Sequence, residues 1–185
     1  MSASPATSSF SNPSIERSVA ALVADEFVPF YQSLWDVRRQ RWEGVEALIR
    51  WQHPTKGLIL PDHFIPVAEQ SGFILWLGLS KACKQVMYWR EHGLSHGIVA
   101  VNISALQIHQ ADFVDKVASI LRDTGLPPQA LELELTETVA LKDTTILIEN
   151  MNHCRSLGVR LSIDDFGTGS SSLARSDTAR RPGAL

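Results

Sequence analysis

The stretch RLSIDDFGTG, residues 160–169, joins a short apolar segment to two adjacent aspartates and a glycine-rich break. This order is typical of a buried β-strand that ends in a turn. Two neighbouring carboxylates disfavour each other's ionisation unless a cation or a proton relieves the repulsion. Asp164 and Asp165 therefore raise the question of whether the rest of the chain supplies a metal site.

Other segments of the chain have a similar strand character. Buried strands are predicted in GIVAVNIS (97–104), LELELT (131–136) and VRLSID (159–164), each short and each ending in a polar residue. Two earlier stretches are predicted to be extended, FVPFYQSLW (27–35) and GVEALIRW (44–51). The chain therefore has five candidate strands.

Helical patterns lie between the later strands. The apolar spacing predicts three helices, each followed by a glycine that suits a helix end: residues 76–92, 112–124 and 144–157, then Gly93, Gly125 and Gly158. In the third helix we predict that Ile148, Met151 and Leu157 face inward. Strands alternating with helices of this length predict βα units and a parallel sheet.

The composition carries no strong charge. Of 185 residues 44% are hydrophobic, and 17 Lys and Arg against 20 Asp and Glu give a net charge of −3. Without a basic surplus, no binding to nucleic acid or to an anionic membrane surface is expected from overall charge. Cys83 and Cys154 lie far apart with no CxxC spacing, which predicts reduced thiols and a cytoplasmic protein.

The two ends of the chain differ from its middle. Residues 1–24 are rich in Ser, Pro and Ala, which predicts a disordered leader rather than a signal peptide. Residues 174–185 are Arg-rich and lack a strand pattern, which predicts a disordered tail. No apolar run approaches the roughly 18 residues of a membrane helix. The folded domain is therefore expected over residues 25–173.

Oxygen-bearing side chains recur on the predicted strands, at Glu46, Asn102, Glu134, Asp164 and Asp165. Because the chemistry of a βα barrel gathers at the carboxyl ends of its strands, we expect the first four to converge there. Hard cations such as Mg²⁺ and Mn²⁺ prefer oxygen ligands. A single glutamate in a strand more often faces solvent, but four consecutive strands with such residues favour a metal site.

Several motifs together resemble the EAL domain family, the bacterial phosphodiesterases of cyclic di-GMP. They are YQSLWD (31–36), EALIRW (46–51) with its continuation QHPTKGLILPDHFIPVAEQSG (52–72), VNIS (101–104), LELELTE (131–137) and DDFGTG (164–169). Their order and spacing match the family over about residues 26–173, which disfavours a different Mg²⁺-dependent barrel such as an enolase. The resemblance implies an α/β fold, a modified (β/α)8 TIM-like barrel, of which this chain contains about the first five strands.

The resemblance also implies the catalytic chemistry. Residues matching Glu46, Asn102, Glu134 and Asp164 hold a catalytic metal, Mg²⁺ or Mn²⁺, and the residue matching Asp165 helps to hold a second. Two such ions can ionise a bridging water and stabilise charge on a phosphodiester. Glu46, Asp164 and Asp165 are therefore the implied catalytic residues. The implied reaction is hydrolysis of one 3′–5′ phosphodiester of cyclic di-GMP to linear pGpG.

Further roles follow from the same resemblance. Those residues of the family that match Gln32, Leu48 and Arg50 bind the substrate, and a guanidinium at Arg50 suits a phosphate. The glutamate matching Glu137 steadies the loop of Asp165, Phe166, Gly167, Thr168 and Gly169 in the family's dimer-linked active form. Cyclic di-GMP and a second copy of the chain are thus the implied partners.

The chain departs from the family after its fifth predicted strand. Such barrels have roughly 250 residues, and the later strands of EAL domains carry a lysine, a glutamate and a glutamine without counterparts here. We expect a barrel cut short, through a frameshift or an early stop, with impaired catalysis. Interior side chains such as Val101, Leu133 and Leu161 are expected to lose partners, so that the chain aggregates or is molten unless it associates.

The predicted function is thus that of an EAL-type cyclic di-GMP phosphodiesterase domain, impaired in this chain. Two alternatives stay open, a non-catalytic module that binds cyclic di-GMP and a non-functional remnant. Titration with cyclic di-GMP separates the binding module from the remnant, and an assay for pGpG separates both from an enzyme.

Overall fold

The computed structural model describes residues 25–65, 74–94, 97–136 and 145–164. The predicted leader, the predicted tail and the loop at 165–169 lie outside the described residues. The elements are, in chain order, β1 (Phe27–Asp36), β2 (Arg41–His53), β3 (Gly57–Ile59), α1 (Ile74–Glu91), β4 (Ile98–Ile103), α2 (Ala105–Ile108), α3 (Phe113–Thr124), a 3-10 turn (Pro128–Ala130), β5 (Leu131–Thr136), α4 (Thr145–Leu157) and β6 (Arg160–Asp164).

One six-stranded sheet runs through the described residues in the order β1-β2-β4-β5-β6, with β3 paired to β2. The neighbours β2, β4, β5 and β6 are parallel, as the alternation of strands and helices predicts. All five predicted strands are present. The short β3 was not predicted, and it pairs antiparallel with the end of β2 from Trp51 to His53.

The first two strands depart from the parallel arrangement. β1 and β2 pair antiparallel, with Gln32 opposite Glu46. Only the four turn residues 37–40 join them, whereas a parallel connection needs a dozen residues or more. The side chain of Asp36 accepts hydrogen bonds from the backbone N–H groups of Arg38 and Arg39, both at 3.0 Å, and so stabilises this turn.

The sheet has two faces, which we call the helix face and the site face. The helix face packs on α1, α3 and α4, and it contributes Val101 and Leu133 to the main core at 7% and 1% exposure. Leu161 is half-buried against the same core. The prediction that these three side chains lose partners inside the barrel is therefore wrong. Because side chains alternate along a strand, these three point toward the helices. The polar residues next to them in each strand, such as Glu134 after Leu133, point to the site face.

The helices cover the sheet largely as their patterns predict, but α4 is turned differently. Ile148 and Leu157 were predicted to face inward and are 46% and 37% exposed. The buried side chains are those of Leu147, Asn150 and Cys154. Apolar spacing alone misses this buried stripe, because it counts Asn150 as a polar, outward-facing residue. The Asn150 side chain can be buried because it donates hydrogen bonds to the carbonyls of Ile108 at 2.7 Å and Gln110 at 3.2 Å.

Three predicted helix ends are confirmed. Gly93, Gly125 and Gly158 have φ angles of 67°, 69° and 92°, in the left-handed region that closes a helix. Within the described residues, no helix is both long and apolar enough to span a membrane. Cys83 and Cys154 are free thiols, and both are buried, as expected for reduced cysteines.

Candidate active site

The site face carries polar side chains in two rows across the parallel strands. Paired residues of neighbouring strands project to the same face of a sheet. The lower row is Glu46, Ala100, Glu132 and Arg160, and the upper row, nearer the carboxyl ends, is Asn102, Glu134 and Ser162. Three predicted metal ligands therefore lie on adjacent strands within two adjacent rows.

Glu46 and Asn102 are in direct contact. The Nδ2 group of Asn102 donates a hydrogen bond to Oε1 of Glu46 at 2.8 Å. Glu46 is 1% exposed, whereas Asn102 is exposed. The pair therefore joins a buried carboxylate to an amide that is open to solvent.

Glu134 belongs to a strand that is buried on both faces. Leu131, Leu133 and Leu135 fill the helix face of β5, and Glu132 and Glu134 are 2% and 7% exposed on the site face. Burying a carboxylate costs several kcal/mol unless a partner or a cation offsets the charge. The sequence left open whether Glu46 and Glu134 face solvent, and the structure excludes that alternative for both.

The backbone places Asp164 on the same face. Asp164 is paired with Thr136 and lies two residues beyond Ser162, so it follows the upper row at the carboxyl end of β6. Asp164 is described by its backbone only. Asp165, Glu137 and residues 166–169 lie outside the described residues.

The metal site itself stays a prediction. Among the side chains that the structure describes, no three acidic, histidine or cysteine residues form a group that could hold a metal. That part of the molecule leaves out the carboxylates of Asp164 and Asp165. The donors that are described, two buried carboxylates and an amide, are oxygen ligands of the kind that fit Mg²⁺ or Mn²⁺.

The three predicted substrate residues lie beside this site on β1 and β2. Gln32 is in register with Glu46 and exposed. Leu48 and Arg50 follow Glu46 at intervals of two along β2, so they share its face, and both are half-buried. Arg50 donates a hydrogen bond from Nη1 to the carbonyl oxygen of Ile49 at 3.0 Å.

Sequence reasoning missed three further charged residues near the lower row. Arg160 donates a hydrogen bond to Oε1 of Glu43 at 3.2 Å and lies 3.9 Å from Oε2 of Glu132. Glu132 could have been found from the period-two pattern, since it precedes Glu134 by two residues on one strand. Glu43 gave no such signal, because it lies three residues before Glu46 and a regular strand would direct the two side chains to opposite faces.

Comparison with known proteins identifies the family. The family model described as the EAL domain matches residues 15–180, nearly the whole chain. The chain therefore belongs to the EAL domain family.

Curated relatives are much longer than this chain. It is 45% identical over 133 residues to the bifunctional diguanylate cyclase/cyclic di-GMP phosphodiesterase MucR of Pseudomonas aeruginosa, a match that covers 70% of this chain and 19% of MucR. It is 40% identical over 164 residues to the signaling protein YkoW of Bacillus subtilis, covering 83% of this chain and 20% of YkoW. The chain thus spans about a fifth of the length of these relatives.

Solved structures agree on the barrel fold. The MucR phosphodiesterase in complex with c-di-GMP matches with a TM-score of 0.78 and 38% identity, over 87% of this chain and 66% of that one. The EAL domain of FimX from Pseudomonas aeruginosa, bound to c-di-GMP, matches with a TM-score of 0.74 at 18% identity, over 84% of this chain and 63% of that one. The FimX likeness concerns the fold alone. The predicted fold class is confirmed, and the described elements form part of an EAL-type TIM barrel.

Proposed function

We propose that this chain carries the metal-binding and nucleotide-binding strands of a cyclic di-GMP phosphodiesterase, an enzyme that hydrolyses one 3′–5′ phosphodiester to give linear pGpG. The observation that carries the proposal is the contact between buried Glu46 and exposed Asn102, beside the buried carboxylate of Glu134 on the same face. A buried cluster of oxygen ligands at the open end of parallel strands suits a cation that meets substrate from solvent.

Glu46, Asn102, Glu134 and Asp164 would hold one Mg²⁺ or Mn²⁺, and Asp165 would help to hold a second. When bound, such ions polarise the phosphodiester and lower the pKa of a coordinated water. The protein contributes the positions of the ligands. The amide of Asn102 fixes the carboxylate of Glu46, and burial of Glu46 and Glu134 keeps water from competing for their oxygens.

Gln32, Leu48 and Arg50 would bind the nucleotide. All three share the face of Glu46, and Arg50 lies four residues beyond it along β2. A guanidinium can form two parallel hydrogen bonds to a phosphate, which fixes the orientation of the phosphodiester over the metal ligands. The half-buried Leu48 offers an apolar contact next to it.

Four parts of the proposal rest on the sequence alone, three through the family resemblance and the location through the spacing of Cys83 and Cys154. They are the steadying of residues 165–169 by Glu137, a homodimer as the active form, a cytoplasmic location, and impaired hydrolysis by a polypeptide of these 185 residues. The last follows from the lysine and glutamate of the later strands, which have no counterpart in this sequence.

The test is a titration of the 185-residue chain with Mn²⁺ and then with cyclic di-GMP. Glu46→Gln removes one charge, and the glutamine can still accept the hydrogen bond from Asn102. Loss of a residue that only hydrogen-bonds to a metal ligand typically costs about 10- to 100-fold in metal affinity, so loss of a direct ligand should cost at least about tenfold. Glu149→Gln, on the exposed side of α4, is the matched control and should bind like the wild type.

Equal Mn²⁺ affinity in the wild type and in Glu46→Gln would contradict the proposed metal site. Cyclic di-GMP binding that is unaffected by Arg50→Lys would contradict the assigned role of Arg50, because lysine keeps the charge but loses the planar fork.

A further inference from the structure

A cluster of three charged residues lies next to the candidate metal site, toward the amino ends of the strands. Arg160 on β6 donates a hydrogen bond to Glu43 on β2 at 3.2 Å, and the same nitrogen lies 3.9 Å from Oε2 of Glu132 on β5. The side chains of Arg160, Glu43 and Glu132 are 42%, 15% and 3% exposed. We call Glu43, Glu132 and Arg160 the lower ion cluster.

The contact between Glu43 and Arg160 crosses the sheet. β2 and β6 are separated by β4 and β5 in the strand order. Three strand spacings amount to about 14 Å in a flat sheet. Because side chains stand roughly perpendicular to a sheet rather than along it, a hydrogen bond between these two indicates that the sheet curls toward the site face.

A β-bulge directs Glu43 toward this contact. Leu34 pairs with Gly44 and Trp35 pairs with Trp42, so Glu43 is the extra residue of β2. A bulge can re-aim a side chain. Without it, Glu43 would project to the helix face, opposite Glu46, because the two are three residues apart.

The same two strands carry the outermost predicted metal ligands of the described sheet. Glu46 lies three residues after Glu43 on β2, and Asp164 lies four residues after Arg160 on β6. The curl that brings Glu43 and Arg160 into contact thus also sets the spacing between the backbones at Glu46 and Asp164. A change in that spacing would change how well the two residues could share a cation.

We propose that Arg160, through its contacts with Glu43 and Glu132, is a positioning residue that braces β2 against β6 and thereby sets the geometry of the metal site. This inference rests on the proposed function. The pair of Glu43 and Arg160 is partly exposed, and such pairs contribute little to global stability. Loss of Glu43 is therefore expected to affect metal affinity more than it affects unfolding. Loss of Arg160 also removes the cation that faces the buried carboxylate of Glu132, which costs stability as well.

The experiment compares Glu43→Ala, Arg160→Gln and the double variant in the 185-residue chain. Free Mn²⁺ is measured by electron paramagnetic resonance during a titration, and thermal unfolding is followed without metal. Each single variant is expected to weaken Mn²⁺ binding by about tenfold, the lower end of the loss seen when a residue that orients metal ligands is removed. The double variant should weaken it no further than the stronger single variant, since the two residues act through one contact.

Arg122→Gln is the matched control, because Arg122 is exposed on α3, away from the site face. It should bind Mn²⁺ like the wild type. If Arg160→Gln does not fold, Glu43→Ala decides the question, since it leaves the Arg160–Glu132 pair in place. Wild-type affinity in the folded single variants, or additive losses in the double variant, would overturn the inference while leaving the proposed function intact. A wild-type chain without Mn²⁺ affinity would contradict both.

Discussion

Three carboxylates of the site face, Glu46, Glu132 and Glu134, are buried at 1%, 2% and 7% exposure. Charges in such positions are costly unless they are paired and hydrogen-bonded. Asn102 donates to Glu46 at 2.8 Å, and Arg160 faces Glu132 at 3.9 Å. At the residue scale, the site is therefore held together by polar contacts that compensate acidic side chains.

A substitution at Asn102 tests this compensation. Asn102→Asp replaces a donor to Glu46 by a second carboxylate, and like charges in contact repel. Without metal the variant is expected to be about 1.5–3 kcal/mol less stable than the wild type, the usual contribution of a hydrogen bond to a charged group. Urea unfolding in EDTA measures the loss. Saturating Mn²⁺ should then stabilise the variant more than the wild type. Equal stabilisation would count against a cation between these two residues.

The two buried thiols predict how stability depends on pH. Burial raises the pKa of Cys83 from 9.0 to about 12 and that of Cys154 to about 11. The folded protein therefore keeps protons that the unfolded chain releases above about pH 9, and stability is lost as pH rises toward the folded values. Burial likewise raises the pKa of Tyr31, with the same sign. Urea midpoints should be constant near pH 7–8 and fall from about pH 9.

Alkylation provides an independent check on the thiols. At pH 8 the thiolate is the reactive form, and burial suppresses it. Iodoacetamide is expected to label neither Cys83 nor Cys154 in the folded protein and both in urea, as measured by mass spectrometry. Rapid labelling of the folded chain would show that one of the thiols is accessible.

At the element scale, the approach of β2 to β4 depends on a glycine. A Cβ atom on Gly44 would lie 2.2 Å from the carbonyl oxygen of Ile98, which is backbone and cannot move aside easily. This close approach occurs next to the bulged residue Glu43 and two residues before Glu46. The close approach of β2 to β4 at Gly44 and the position of Glu46, the predicted ligand on β2, therefore depend on the same short segment.

Gly44→Ala is expected to destabilise the protein by about 3 kcal/mol or more, at or above the upper end of overpacking effects. Gly93→Ala is the control. In this variant the added methyl group has open space around it. The only expected loss of stability comes from placing an alanine at a φ of 67°, which costs about 1–2 kcal/mol. Urea unfolding compares the two. A smaller loss for Gly44→Ala than for Gly93→Ala would show that β2 and β4 can separate without penalty.

At the scale of the whole molecule, the chain covers 66% of the solved MucR phosphodiesterase chain. A polypeptide of these 185 residues is expected to form pGpG at a rate close to that of its Glu46→Gln variant. A chimera continued with the later strands of the MucR phosphodiesterase domain should be at least about 100-fold faster, because small errors in positioning already cost that much. Chromatography of the nucleotides over hours measures both rates. Product well above the Glu46→Gln level without the added strands would contradict impairment.

The sequence by itself determined the five longer strands, the helix ends and the family. Alternating LELELT, the glycines after three helices and the ordered motifs from YQSLWD to DDFGTG are local signals, and each depends on neighbouring residues only. The candidate ligands Glu46, Asn102 and Glu134 were found in the same way, because the carboxyl ends of parallel strands meet at one edge.

Only the tertiary structure decided which faces these residues occupy and what they contact. It placed Val101 and Leu133 against helices, turned Asn150 of α4 inward, and buried Glu46 and Glu134. It also joined Glu43 to Arg160 across two intervening strands, between residues 117 positions apart in sequence. Strand register, the bulge at Glu43 and sheet curvature fix these contacts, and they arise from packing between distant segments rather than from local preference.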